Sequence, residues 1–180
     1  MAITKIQSES MNLADTYAFT GTVTGAGESN TPAFHAYSAN GDSQALGSSA
    51  TTKVKFQTEL YDTNSAYDHS TNFRFTVPSG QAGKYEFTAN VGFWTSGSAY
   101  SRSFIMLYKN GSEYLRHERR GGTSIYAGSY AQNNLIFTTT DNASVGDYYE
   151  VYSYIGADAN TYNSSSFTMA NYFKGFKISS

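Results

Sequence analysis

The sequence predicts an all-β domain, a sandwich or jelly roll of antiparallel strands, on three observations. Apolar and polar residues alternate in short segments, most clearly over residues 67–93. One face of a strand there contains Phe73, Phe75 and Val77, and one face of the next, longer strand contains Tyr85, Phe87, Ala89, Val91 and Phe93. Turn residues such as Asn110-Gly111 separate these segments. No segment repeats its apolar residues at a helical period. These patterns together predict antiparallel sheets around one core.

The composition favours a single domain with an unusual surface. A chain of 180 residues suits one compact domain plus an appendage. Only 14% of the residues are charged, against about 25% in an average globular protein, whereas 16% are aromatic. A surface of Ser, Thr, Asn, Gly and Tyr is more typical of extracellular or virion proteins than of cytosolic enzymes. The absence of Cys excludes disulfides and thiolate chemistry.

Charge and hydropathy exclude several classes of partner. The net charge of -2 provides no long-range attraction to nucleic acid or to an anionic membrane. The residues after Met1 lack the apolar core of a signal peptide, and no stretch approaches the ~20 apolar residues of a membrane span. We therefore expect no nucleic-acid partner, no membrane insertion and no signal peptide. An extracellular location would then be reached by lysis, as virion proteins reach it.

The first 30 residues differ from the rest of the chain in their pattern of apolar residues. Scattered apolar residues such as Ile3, Leu13 and Phe19 stand among Thr, Ser, Ala and Gly, and they do not sustain a heptad. An isolated segment of this kind cannot bury enough apolar area to order itself. We predict an N-terminal neck over residues 1–30, which wraps on copies of itself or docks to another protein, and a head domain over residues 31–180.

The head domain is predicted to contain about nine short strands. The Pro and Gly residues between the third and fourth strands predict a wide hairpin, and Asn110-Gly111 predicts a tight one. In chain order the strands are residues 33–37, 53–56, 73–77, 84–93, 103–108, 113–116, 135–139, 148–155 and 173–178.

The strand over residues 148–155 is aromatic on both faces. A face of this kind is not expected to meet water, which predicts that another subunit covers the second face. The alternative is a Tyr-rich face exposed to solvent. The first face contains Tyr149, Val151 and Ile155, and the second contains Tyr148, Glu150, Tyr152 and Tyr154.

Taken in order, these segments resemble the globular head of complement component 1q and the wider tumour necrosis factor-like jelly-roll superfamily. Each match is short, but their shared order extends over residues 32–178, about four-fifths of the chain. The matching segments are Pro32–Tyr37, Lys53–Phe56, Asn64, Tyr67-Asp68, Thr71–Phe73, Gly83–Phe87, Asn110-Gly111, Gly146-Asp147 and Phe173–Phe176.

The resemblance implies a ten-stranded, two-sheet jelly roll that forms a tight homotrimer around its inner sheet. It also implies that this sheet contains the strands matching 34–37, 84–93, 148–155 and 173–178. The polar side of strand 84–93, from Lys84 and Glu86 onward, then becomes a candidate for the threefold interface. The predicted interface residues are Tyr148, Glu150, Tyr152, Tyr154, Phe173, Thr88 and Asn90.

The segment 14–26 of the neck resembles sequences that precede head domains in bacteriophage fibre proteins. This second resemblance implies a virion setting, in which the neck attaches the head to other virion proteins. The Cys residues and the collagen stalk of the complement proteins are absent from this chain.

Catalytic chemistry has little support. Asp68-His69-Ser70 places the residue types of a triad side by side, but triads are assembled in space and not by adjacency. His117-Glu118 lacks the second His of a zinc helix, and His35 lies inside a predicted strand. We therefore expect no enzyme and no catalytic residues.

Metal binding is also weakly supported. We expect no cofactor, with calcium as the one open possibility, because some members of the resembled family bind it near the trimer axis. Asp62, Asp141 and Asp158 lie in turn-like contexts and could supply oxygen ligands. No dense ligand loop is present.

Two groups of residues are candidates for contact with a receptor or glycan. Arginines can bind carboxylate or phosphate groups of a bacterial surface glycan, although a solvated hairpin end or an intersubunit pair with Glu113 or Glu118 is the alternative. Aromatic residues in Gly, Ser and Asn loops can stack on sugars or pack against a protein, or they can cap the core. The candidates are Arg116, Arg119 and Arg120, and Tyr100, Tyr126, Tyr130 and Tyr162.

These observations lead to one expected function and two alternatives. We expect a non-enzymatic, homotrimeric head of a virion fibre or appendage that binds a host surface receptor or glycan. One alternative is a purely structural trimer that decorates a capsid or caps a fibre. The other is a bacterial extracellular binding module.

Overall fold

The computed structural model describes residues 30–39, 42–46, 49–95, 100–120, 131–156, 159–161 and 171–180. The predicted neck therefore lies almost wholly outside the described residues. Within these ranges the chain forms thirteen β-strands and no helix.

The strands in chain order are β1 (Ala33–Tyr37), β2 (Ala45–Leu46), β3 (Thr51–Lys53), β4 (Thr58–Asp62), β5 (Tyr67–Asp68), β6 (Arg74–Thr76), β7 (Gly83–Thr95), β8 (Arg102–Lys109), β9 (Ser112–Arg120), β10 (Ala131–Ala143), β11 (Tyr148–Ile155), β12 (Ala159–Thr161) and β13 (Tyr172–Ser179).

The strands form two antiparallel sheets. The first sheet has seven strands in the order β2-β12-β7-β13-β1-β4, with β10 paired to β7 along its other edge. The second sheet has six strands in the order β5-β6-β11-β8-β9, with β3 paired to the end of β11. The prediction of a two-sheet antiparallel jelly roll is confirmed.

The core lies between the two sheets and is built mainly of aromatic rings. Alternation along β7 turns Tyr85, Phe87, Ala89, Val91 and Phe93 inward, and all five are fully buried. Burial of a side chain of Phe size stabilises the fold by about 1.5–3 kcal/mol. The stability of the domain therefore depends on the inward residues of β7, as the sequence predicts.

The rings of the two sheets meet directly across the core. Phe87 of the first sheet lies 4.2 Å from Tyr149 of the second, measured between ring centroids, and Phe34 lies 4.7 Å from Phe75. Gly175 of β13 leaves room for this layer, because a Cβ there would lie 2.7 Å from Cδ1 of Phe87 and 2.9 Å from Cε1 of Phe34. Only Gly fits at this position.

A charged cluster also links the two sheets. Lys109 Nζ of the second sheet lies 2.7 Å from Asp141 Oδ2 of the first and 3.0 Å from Asp147 Oδ2, and Tyr149 donates to Asp141 over 2.5 Å. Burial alone would raise the pKa of Asp141, but the hydrogen bonds from Lys109 and Tyr149 outweigh it and lower the pKa. The ionised carboxylate is therefore the form that the fold stabilises.

The predicted wide hairpin within residues 67–93 is wrong. Strand β6 pairs with β5 and β11 in the second sheet, whereas β7 pairs with β10, β12 and β13 in the first. Residues 77–82 therefore cross from one sheet to the other. Alternation predicts which residues face a core, but it is the same for two paired strands and for two strands that face each other.

Other boundaries differ in detail. The tight hairpin is confirmed, with φ of 53° at Asn110 and 78° at Gly111 between β8 and β9. The predicted strand over residues 53–56 is wrong beyond Lys53, where β3 ends. Strands β9 and β10 are longer than predicted, and four short strands were not predicted, namely β2, β4, β5 and β12.

Gly175→Ala should destabilise the domain by about 1–3 kcal/mol, because the added methyl group forces Phe34 and Phe87 apart. Denaturant unfolding followed by circular dichroism measures this change. Gly156→Ala is the control, since Gly156 has no left-handed φ and the added Cβ would come no nearer than 3.3 Å to another heavy atom, the backbone oxygen of Arg102. Equal effects of the two substitutions would contradict the close approach at Gly175.

Asp141→Asn should reduce the loss of stability in acid. A carboxyl group with a lowered pKa contributes stability that is present above its unfolded pKa, near 3.8, and lost as the pH falls through the folded value. The fall in unfolding free energy from pH 7 to pH 2 should therefore be smaller in Asp141→Asn than in the wild type. Asn142→Ala, at the exposed neighbour, should keep the wild-type dependence; an unchanged profile in Asp141→Asn would contradict the assigned cluster.

Candidate functional site

The sandwich presents two outer faces that differ in chemistry. We call the outward side of β1, β4, β7, β10 and β13 the first outer face, and the outward side of β3, β6, β8, β9 and β11 the second outer face. Each sheet is buried on its inner side, so any binding surface of the strands lies on one of these two faces.

The second outer face carries a layer of aromatic rings. Tyr154 stacks on Phe104 with a centroid distance of 4.5 Å and an angle of 1° between the ring planes. The ring of Tyr152 lies 4.3 Å from that of Tyr108, with an angle of 34° between the ring planes. Strands β8 and β11 are neighbours in the sheet, so these are cross-strand pairs on one surface.

Cationic side chains of the same chain cover this aromatic layer. The guanidinium of Arg116 lies 4.2 Å from the ring centroid of Phe104, and that of Arg74 lies 4.3 Å from Tyr148. Arg102 lies 4.9 Å from Phe104 on the same surface. Such contacts contribute about 0.5–2 kcal/mol each. As a result Phe104 is only 4% exposed although it points away from the core.

Glutamates hold the cations in place. Arg102 donates to Glu118 over 2.5 Å, and Arg120 donates to the same carboxylate. Hydrogen bonds from Arg120 and Arg102 lower the pKa of Glu118 to about 2. Lys53 pairs with Glu150 in the same way, at 2.5 Å. The second outer face is therefore closed by the chain's own ion pairs.

The predicted placement of the strand over residues 148–155 is wrong. It forms β11 of the second sheet, whereas Thr88 and Asn90 lie on the first outer face. Tyr148, Glu150, Tyr152 and Tyr154 are thus on the opposite side of the sandwich from Thr88 and Asn90, and one threefold interface cannot contain both groups. Phe173 points into the core and is fully buried, so it reaches neither outer face.

The first outer face exposes apolar side chains. Ile136, Ile178 and Tyr61 are 49%, 40% and 46% exposed, and Phe176 on the same face is half-buried. A hollow of about 140 Å³ lies beside Phe176 and is lined by Tyr61, Glu86, Thr88, Lys174, Gly175 and Phe176. A sheet face that exposes several apolar side chains is a candidate interaction surface.

His35 lies on the same face between two tyrosines. Its ring centroid is 6.0 Å from that of Tyr61 and 5.5 Å from that of Tyr172. Its buried Nε2 has no hydrogen-bond partner among the described residues. Burial and the nearby charge of Lys174 lower the pKa of His35, so the imidazole is held neutral.

The predicted receptor residues are brought together only in part. Arg116 and Arg120 lie side by side on the second outer face, but Arg119 points the other way and donates to Asn133 Oδ1 over 3.1 Å. Tyr100 is only 3% exposed and packs near Phe93, so it caps the core. Tyr126, Tyr130 and Tyr162 lie outside the described residues.

Arg102, which shares Glu118 with Arg120, is not among the predicted contact residues. The signal is present in β8, where Arg102 and Phe104 alternate with inward residues and therefore occupy the same face. The pairing with Glu118 depends on the β8–β9 register, in which Phe104 lies opposite Glu118.

The residue types of a triad do not form one. Ser70 donates to Asp68 over 3.2 Å, while the His69 ring contacts Glu59 at 2.8 Å. Backbone N–H groups of Thr71, Ser70 and Asn72, with the Asn72 side chain, hold the pKa of Asp68 well below its usual range. This geometry serves the loop and not a nucleophile.

Two of the three acidic residues considered for calcium make other contacts. Asp62 accepts the backbone N–H of Tyr67 over 2.8 Å, Asp141 is paired with Lys109, and Asp158 lies outside the described residues. In the part of the chain that the structure describes, no group of three metal-ligating residues occurs. The same part has no helix that is long and apolar enough to cross a membrane.

The comparisons with known proteins show the fold. No family model and no curated protein matches the sequence. The globular domain of the zebrafish complement 1qA protein is similar in structure, with a TM-score of 0.55, 16% identity, and coverage of 82% of this chain and 98% of that chain. Eiger TNF from S. frugiperda is similar with a TM-score of 0.59 and 12% identity, covering 82% of this chain and 92% of that chain. Murine APRIL is similar with a TM-score of 0.55 and 16% identity, covering 81% of this chain and 98% of that chain. The chain has the all-β, two-sheet jelly-roll fold of the complement 1q and tumour necrosis factor-like proteins.

Proposed function

We propose that the protein is a non-enzymatic, homotrimeric binding head whose copies meet through the first outer face. The observation that carries the proposal is the contrast between the two faces. The second outer face covers its aromatic rings with its own cations, whereas the first leaves Ile136, Ile178 and Tyr61 exposed. Apolar side chains on such a face favour association with another protein surface.

Closed symmetry explains how one face can serve every copy. A rotation that brings one part of the face against a different part of the next copy closes into a ring. Thr88 and Asn90 of β7 lie on this face with Phe176 of β13. A trimer is also the state that the resemblance to the complement 1q and tumour necrosis factor-like proteins implies. Thr88, Asn90 and Phe176 are thus the interface residues of the proposal.

The proposed setting is the exposed appendage of a virion. The resemblance of residues 14–26 to the segments before bacteriophage fibre heads supports it, as does a surface poor in charge. The neck, residues 1–30, would attach the trimer to other virion proteins. A structural trimer that decorates a capsid or caps a fibre remains the second candidate, since the interface argument applies to it equally.

Contact with a host surface is proposed for the arginines of the second outer face. Arg102 and Arg120 share the single carboxylate of Glu118, so their donors exceed the acceptors available. Spare guanidinium N–H groups can bind carboxylate or phosphate groups of a glycan. Three copies act together, so weak single sites give strong adsorption through effective concentration.

Phe176→Glu should convert the trimer to monomers, because it buries a charge without a partner at the interface. Tyr152→Glu is the matched control on the second outer face and should leave the trimer intact. Light scattering on both soluble variants measures the mass. A trimeric Phe176→Glu together with a monomeric Tyr152→Glu would move the interface to β11 and contradict the proposal.

Arg120→Ala should weaken adsorption to host cells by at least about tenfold, because a hydrogen bond to a charged group contributes about 1.5–3 kcal/mol and three sites act together. Arg119→Ala is the matched control, since its neighbouring side chain points toward Asn133. Adsorption is measured with labelled trimer on cells. Equal adsorption of both variants would remove this site from the proposal, and no adsorption of the wild type would favour the structural trimer.

A further inference from the structure

One carboxylate on the first outer face lacks a partner. Glu86 of β7 is half-buried, and among the carboxylates of the described residues it alone makes neither a hydrogen bond nor an ion pair. The others bind cations, such as Glu150 with Lys53, or accept N–H groups, such as Asp62 with Tyr67. A half-buried charge without a partner is destabilising unless a second molecule supplies one.

A cation without a carboxylate lies beside it. Lys174 of β13 is half-buried and extends over the ring of Tyr172, with Nζ 5.6 Å from the centroid, but it makes no ion pair within the described residues. In the β7–β13 register Glu86 lies opposite Phe176 and Lys174 lies opposite Thr88. The two charges are therefore diagonal neighbours, about 7–8 Å apart between Cα atoms.

Both charges border the same hollow on the surface that the proposed function assigns to the interface. Glu86 and Lys174 line this hollow together with Phe176 and Tyr61. The opposite charges are close but do not pair within the protomer, so each remains available to a second copy. In a ring-forming interface, different patches of two neighbouring copies meet, which allows opposite charges to face each other.

We infer that Glu86 of each protomer pairs with Lys174 of the neighbouring copy, so that three ion pairs alternate in sign around the threefold axis. The inference rests on the proposed trimer and adds the contact that fixes its register. With this pairing, both charged side chains that line the hollow, Glu86 and Lys174, have a partner of opposite charge when the interface buries them. The opposite arrangement, with three Glu86 or three Lys174 side chains facing one another, would place like charges together at a desolvated site.

Among the described residues of this face, Lys84 is the second lysine, and it takes no part in the inferred ion pair. It lies at the start of β7 and is exposed, and it lines a separate hollow with Tyr114 and Ile178. An exposed lysine contributes little to an ion pair. Lys84 is therefore a control for general effects of charge on the face.

Charge reversal with rescue tests the pairing. Lys174→Glu and Glu86→Lys should each raise the dissociation constant of the trimer at least about 100-fold, because each places six like charges around the axis. The double variant restores three opposite pairs and should return to within about tenfold of the wild type. Lys84→Glu should stay within about threefold. Analytical ultracentrifugation over a concentration series measures the dissociation.

The outcomes separate the pairing from the trimer. A trimeric wild type whose single reversals assemble normally, or whose double variant is not rescued, overturns the pairing and leaves the proposed trimer standing. A monomeric wild type overturns both. Should a reversal prevent folding, Glu86→Gln and Lys174→Met test the same contact; about tenfold weakening in each supports the pairing, and no change overturns it.

Discussion

The layer of aromatic rings between the two sheets is the contact on which the rest of the structure depends. Contacts of 4.2–5.7 Å between ring centroids link Phe34 to Phe75, Phe75 to Phe87, and Phe87 to Tyr149, over a backbone position where only Gly175 fits. Because the chain contains no Cys, the packing of these rings joins the two sheets without disulfides. Because the rings fill the inward face of the central strands, a partner that binds the described strands can reach them only at the two outer faces.

The two outer faces differ in how their aromatic and apolar side chains are covered. Both carry aromatic or apolar side chains in a chain with few charges. On the second outer face, Arg74, Arg102 and Arg116 cover the rings. Glu118 holds Arg102, and Glu113 holds Arg116. On the first outer face, Glu86 and Lys174 form no ion pair within the protomer, and exposed apolar side chains share this face. A face that is complete in one copy suits contact with solvent or a polar ligand, and an incomplete one suits contact with another copy.

Much of the fold could be predicted from the sequence because alternation reports directly which residues face inward. The inward residues of β7 and β11 are as predicted, and so is the hairpin at Asn110-Gly111. Alternation does not report which sheet a strand joins, so the predicted hairpin of β6 and β7 is wrong. The placement of β11 in the inner sheet, which the family resemblance implies, is also wrong. Which strands pair depends on contacts between residues that are distant in the sequence, and such contacts produce no local sequence pattern.

The candidate surfaces were harder to predict, for a related reason. The cations that cover Tyr148 and Tyr152 come from Arg74 and Lys53, about 75 and 100 residues earlier in the chain, so these rings looked uncovered in sequence. The most direct test of the account is an experimental structure of the assembled protein. It should show three copies with Phe176 buried against a neighbour and Tyr152 outside the interface; copies joined through Tyr152, with Phe176 in solvent, would contradict the account.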